Sequence, residues 1–168
     1  MTSGAGKREE DRVGLRTRHV FLDTEVYRAH GHDVSSAPFR ILAGLIEEHR
    51  VTLHVADITL EEAARHISEQ AAEIGRSASE LRRKSEQWNR RFPRATMPEI
   101  PGLDTNTVEK LAASAFRWTV RYEWNAENHE ALNCAARPIF ERYFARKPPF
   151  DQGKKEFPDA FVIQTLAE

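Results

Sequence analysis

Leu60, Ile67, Ile74, Leu81 and Trp88 recur at intervals of seven residues, and Ala64, Ala71, Ala78 and Ser85 follow the first four of them by four. A row of large and a row of small side chains at this spacing predicts one helix over 59–91, built for close packing on another helix. At ~1.5 Å per residue it runs roughly 50 Å. That outreaches the single domain that 168 residues build, so part of it is expected to project. A second stripe, Val108, Leu111, Ala115, Trp118 and Tyr122, predicts its partner: the 108–122 segment folded back as an antiparallel hairpin. Self-association through the same seam, giving a homo-oligomer, is the competing arrangement. Gly75 is a candidate kink. Pro93, Pro98, Pro101 and Gly102 make 92–104 the connecting loop.

The flanking segments have a different character. His19-Val20-Phe21-Leu22-Asp23 is a short apolar run closed by an acid, and Val51 to Val55 is a second; both read as buried strands. Between them, Ser35, Ser36 and Pro38 open a helix carrying Phe39, Ile41, Leu42, Leu45 and Ile46. Thr59 is the expected N-cap of the long helix, with Glu62 as its capping-box partner. Leu132, Ala136, Ile139 and Tyr143 predict a further helix that Pro138 kinks or breaks, and a last helix starts near Pro158. Strand, helix, strand and then helices give an α/β class with a parallel βαβ unit. Residues 1–18 are polar and without period, a flexible tail, leaving 19–168 as one domain whose helical insertion lies within 59–125.

Composition narrows the class of function. Lys and Arg number 25 against 26 Asp and Glu, which excludes a generally basic nucleic-acid coat and a highly charged disordered chain. The single cysteine, Cys134, excludes an intramolecular disulfide framework and fits a reducing compartment. No apolar run approaches the ~18 residues of a membrane span, and the N-terminus has no apolar signal-peptide segment. The expected setting is cytoplasmic, without membrane attachment.

Asp23 closes the first strand, where open α/β sheets bind ligands; Glu62 lies in the first turn after the second strand, and Asp159 in the first turn of the last helix. Carboxylates gathered on one sheet edge repel one another unless a cation neutralises them, and hard oxygen donors select Mg²⁺ or Mn²⁺. A structural role is open for two of them. Glu62 suits a capping box and Asp159 a helix start. Asp23 is harder to place without a partner, because an acid ending a buried strand is costly.

Val20-Phe-Leu-Asp-Thr24 resembles the opening strand motif of PIN domains, and residues 59–67, Thr-Leu-Glu-Glu-Ala-Ala-Arg-His-Ile, resemble that fold's second acidic motif. Lys147-Pro-Pro-Phe150 with Gly153-Lys-Lys-Glu-Phe-Pro-Asp-Ala160 is similar to a PIN-like subfamily with a long helical insertion and a lysine-rich loop. The resemblance implies a metal-dependent nuclease acting mostly on RNA. It carries over Asp23, Glu62 and Asp159 as catalytic, metal-binding carboxylates for Mg²⁺ or Mn²⁺, with Thr24 orienting the site behind them through its hydroxyl or backbone N–H. Position 25 departs from the family's pattern: many PIN domains carry Asn or Ser there, and Glu25 adds a negative charge beside the site that either binds the metal or tightens the repulsion. By analogy of fold it implies the toxin of a toxin–antitoxin pair, hence an antitoxin or other protein partner. The family continues beyond the last helix into a strand bearing a further acid, whereas this sequence ends at Glu168. The expectation is therefore a fold incomplete at its C-terminal side. A catalytically incomplete module that binds RNA or a protein partner is the alternative function.

Basic residues cluster at 73–94 and 142–155, with Trp88, Phe92 and Phe150 among them. Such groups contact RNA phosphates and stack bases, or else form a solvated helix face with core aromatics. Lys147, Lys154 and Lys155, near Asp159, are the expected RNA contacts. His30-Gly-His32-Asp33 is the densest histidine group but lacks further ligands at zinc spacing. His19, His49, His54 and His129 show no pattern at all.

Overall fold

The computed structural model describes residues 17–150 and 156–167. Two of the strands stand where the apolar runs place them. β1, His19–Phe21, and β2, Thr52–Ala56, pair in parallel with His19 opposite Thr52 and Phe21 opposite His54. Between them run α1, Thr24–Ala29, and α2, Ala37–Glu47, the latter with Ser36 at its N-cap and Pro38 in its first turn. A third parallel strand, β3, Glu127–His129, adds to β2 with His54 opposite Glu127 and Ala56 opposite His129. The order is β1-β2-β3. The sequence predicts only two strands, because Glu-Asn-His is too short and too polar to show alternation.

The long helix exists as one element: α3, Asp57–Arg91, has 35 residues. It begins before Thr59, which is buried rather than at the cap. Asp57 instead ties the junction, its Oδ1 accepting the backbone N–H groups of Ile58 at 2.7 Å and Ala131 at 2.9 Å. α4, Thr105–Trp118, folds back along α3 and continues into a π-helical turn, Thr119–Glu123.

The faces of this hairpin differ from expectation. Ala64, Gly75 and Ser85 are buried, while Ile74 and Leu81 are 63% and 56% exposed. On α4 and the turn after it, Ala113 and Phe116 are buried, whereas Val108, Leu111, Trp118 and Tyr122 of the stripe face outward. Backbones approach closely only across small residues, so the small row turns inward along the hairpin, and the large row, buried at Leu60 in the core, is displaced from the contact from Ile74 onward. Gly75 lies within the unbroken α3. A Cβ there would lie 2.1 Å from Thr105 Cγ2, so the glycine lets the start of α4 sit directly on α3.

Pro138 is no break either. α5, Ala136–Phe144, starts two residues before it, where a missing N–H costs no helical bond, and Ala131–Asn133 form a separate 3₁₀ turn. α6, Phe157–Ala167, is the last described element.

Alternation along the strands divides the core. Leu53 and Val55 turn to one face, where they join Tyr27, Phe39, Leu60, Phe116, Val120 and Trp124. Phe21 and Ala56 turn to the other and meet Ala131, Phe161 and Val162. A third cluster holds Ile139, Phe150 and Ala160. The sheet is thus covered by helices on both faces. No described helix is long and apolar enough to cross a membrane.

Candidate active site

Parallel pairing brings the C-terminal ends of β1 and β2 to the same sheet edge, and the acids collect there. Asp23 follows β1 and caps α1: its Oδ1 accepts the Thr24 N–H at 2.7 Å. The Thr24 side chain is buried and its hydroxyl donates to Glu62 Oε2 at 2.8 Å. Glu62 therefore serves Thr24 across 38 positions of sequence, not a capping box within its own helix. Thr24 holds one oxygen of each acid, by its amide and by its hydroxyl. The Asp23 Oδ2 and Glu62 Oε1 oxygens lie outside these two bonds.

Asp159, in the first turn of α6, approaches the same group. Its pKa is raised, first by burial, then by the charges of Asp23 and Glu156, by a hydrogen bond with Glu156, and by Glu62. The three predicted acids are thus within electrostatic reach of one another. Positive charge nearby is thin: Arg65 is 3.9 Å from Glu62 and pairs more closely with Glu69, at 2.7 Å. Glu156 was not legible as a participant, although its position three residues before Asp159 at a helix start was the available signal.

The donor set fits the expected ion. It consists of carboxylates, of which Asp159 has its pKa raised by burial and by the charges of the others, an environment a hard divalent cation relieves. The acids are spread rather than clenched. Among the described residues, the group of His, Cys, Asp or Glu donors within 4.8 Å of one another is His54, Glu127 and His129, not the three acids. An open carboxylate arrangement suits Mg²⁺, which keeps several waters and binds through few carboxylates together with substrate phosphates.

The surrounding residues divide. Glu25 forms an exposed pair with Arg28 at 2.8 Å on α1. Lys147 is exposed just beyond α5, while Lys154 and Lys155 lie outside the described residues. Phe150 is only 3% exposed and packs on Tyr143 and Phe157, so it is not available to stack a base. Along α3, Lys84 pairs with Glu80 and Arg82 with Glu86, as on a solvated helix face. Trp88 donates its indole N–H to the Ala95 carbonyl at 2.7 Å.

Compared with known proteins, residues 20–168 match a family model described as the PIN domain. No curated protein and no solved structure matches the chain.

Proposed function

The chain belongs to the PIN-domain family, whose members are generally nucleases, and from that premise we propose that it is a Mg²⁺- or Mn²⁺-dependent ribonuclease. The observation that carries this reading is the Asp23–Thr24–Glu62 bridge with Asp159 beside it, its pKa raised by burial and then by the other acids. A divalent ion bound there would polarise the phosphodiester and lower the pKa of the attacking water. The protein's own contribution is positional. Thr24 orients Asp23 through its amide and Glu62 through its hydroxyl, so that neither carboxylate has to be immobilised when ion and substrate arrive. Asp159 carries the unrelieved charge that makes cation binding favourable. Lys147, with Lys154 and Lys155 a few positions further along the sequence, would hold substrate phosphates without reading sequence. A toxin role, with an antitoxin as partner, is the finer form of this proposal and rests on analogy of fold.

The test is cleavage of labelled single-stranded RNA with Mn²⁺ by the parent chain and by Asp23→Asn. Metal-dependent cleavage that falls at least about 100-fold in the variant supports the reading, since losing even a supporting group at a metal site costs about 10–100-fold. A second reading, a binding module without catalysis, is favoured by the outward stripe of Leu111, Trp118 and Tyr122, which are 58–64% exposed. A folded parent that binds RNA or protein and cleaves nothing selects it.

A further inference from the structure

Three histidines without any pattern in the sequence meet on the sheet. His19 on β1, His54 on β2 and His129 on β3 turn to the same face, as the register dictates: Phe21 lies opposite His54, and His54 opposite Glu127. His19 Nδ1 is 2.7 Å from His54 Nε2. His54 Nδ1 is 2.8 Å from His129 Nε2 and 3.4 Å from Glu127 Oε2. Glu127 and His129 are two positions apart on β3, so both reach toward β2 from one side. The three donor atoms of His54, Glu127 and His129 all lie within 4.8 Å of one another.

We propose that His54 Nδ1, His129 Nε2 and a Glu127 carboxylate oxygen form a binding site for a transition-metal ion of the Zn²⁺ type, separate from the carboxylate site. Geometry supports it. A tetrahedral ion with Zn–N bonds of about 2.0–2.1 Å sets its donors roughly 3.3 Å apart. The His54–Glu127 separation of 3.4 Å already has this value, and the His54–His129 separation of 2.8 Å has to open by about half an ångström. Two imidazole nitrogens facing each other share one proton, and the ion takes that proton's place. Coordination through His54 Nδ1 requires the proton on Nε2, where His19 Nδ1 is positioned to accept it. His19 is therefore a positioning residue that fixes the tautomer and orientation of His54, as partners behind a metal-bound imidazole do.

Donor chemistry separates this site from the first. Two imidazoles and one carboxylate select Zn²⁺, Ni²⁺ or Co²⁺ over Mg²⁺, and the carboxylates at the strand ends select the reverse. Three protein ligands leave the fourth position to water. The ion would also fasten β3, a strand of three residues, to its neighbour β2.

The experiment is calorimetric titration of the full chain with Zn²⁺ in excess Mg²⁺, with visible spectra of the Co²⁺-loaded protein and thermal melting in parallel. Expected are one Zn²⁺ per chain, a raised Tm, and a tetrahedral Co²⁺ spectrum. Glu127→Gln and His129→Ala should each weaken Zn²⁺ binding by ~10-fold or more, and His19→Ala by about 10-fold. Asp23→Asn should leave it intact. Circular dichroism checks each fold, and if His129→Ala does not fold, exposed Glu127 supplies the decisive variant. The proposal is overturned if the parent binds no Zn²⁺, if Glu127→Gln binds it as tightly as the parent, or if Asp23→Asn is the variant that loses it. Zn²⁺ binding keeps the two readings apart: its loss in Glu127→Gln and retention in Asp23→Asn confirm this site whether or not the chain cleaves RNA, and a parent that does cleave should keep Mn²⁺-dependent cleavage in Glu127→Gln.

Discussion

Asp159 is held above its ordinary value of 3.8 by burial and by the acids around it, so its ionised form is a liability in the fold. The sign follows from linkage. A carboxyl whose folded pKa is raised binds its proton more tightly folded than unfolded, so its contribution is fully favourable below 3.8 and lost as pH rises through the raised value. At neutral pH, Asp159→Asn should therefore raise Tm in metal-free protein while RNA cleavage falls, and saturating Mn²⁺ should narrow the Tm gap by stabilising the parent alone. A Tm that drops would mean that Asp159 is held by favourable contacts rather than strained by repulsion. Thr24 allows a second test. Thr24→Val keeps the shape but removes the hydroxyl from Glu62, and cleavage should fall about 10–100-fold, with Thr24→Ser recovering most of it. The acids were legible because each sits beside a local landmark, a strand end or a helix start. The Thr24–Glu62 bond was not, since it exists only after β1 and β2 pair.

The hairpin of α3 and α4 shows where periodicity stops being informative. Seven-residue spacing gave the helix and nearly its ends, because large and small rows can recur so only on a helix. It did not give the buried face, because hydrophobicity favours Leu81 inside while close approach favours Gly75 and Ser85. The approach wins here, and Gly75 is where it is tightest. Alanine in place of Gly75 gains about 1 kcal/mol of helix propensity. Against this, its Cβ meets Thr105 Cγ2 at 2.1 Å and Thr105 Cβ at 3.1 Å, so no rotamer change alone relieves the contact. Overpacking of this kind costs about 1–3 kcal/mol, and a net loss of Tm is expected for Gly75→Ala. Adding Thr105→Ser removes Cγ2, so the double variant should melt above Gly75→Ala, a coupling that thermal denaturation of the four-member cycle measures directly.

Across the whole molecule, stability should depend on pH through a histidine that the fold keeps neutral. His32 is buried in a left-handed turn at φ 59, and neither ring nitrogen has a hydrogen-bond partner among the described residues. Its pKa is lowered, first by burial and then by His66 and Arg28. Above the ordinary value of 6.5 it is neutral whether folded or unfolded, and its contribution is complete. As pH falls below 6.5 the unfolded chain takes up a proton that the folded chain refuses, so stability declines until the lowered folded pKa is passed. Asp159 acts in the opposite sense, because protonation relieves it. The part of the melting-temperature change that His32 carries is a fall as the solution is acidified below pH 6.5, and a His32 variant separates it from the contribution of Asp159. His32→Asn retains a residue that tolerates the left-handed turn, so it isolates the titration from the backbone. The variant should melt lower than the parent at neutral pH yet lose less Tm on acidification. A parent and variant whose Tm values run parallel across this range would place the proton uptake elsewhere.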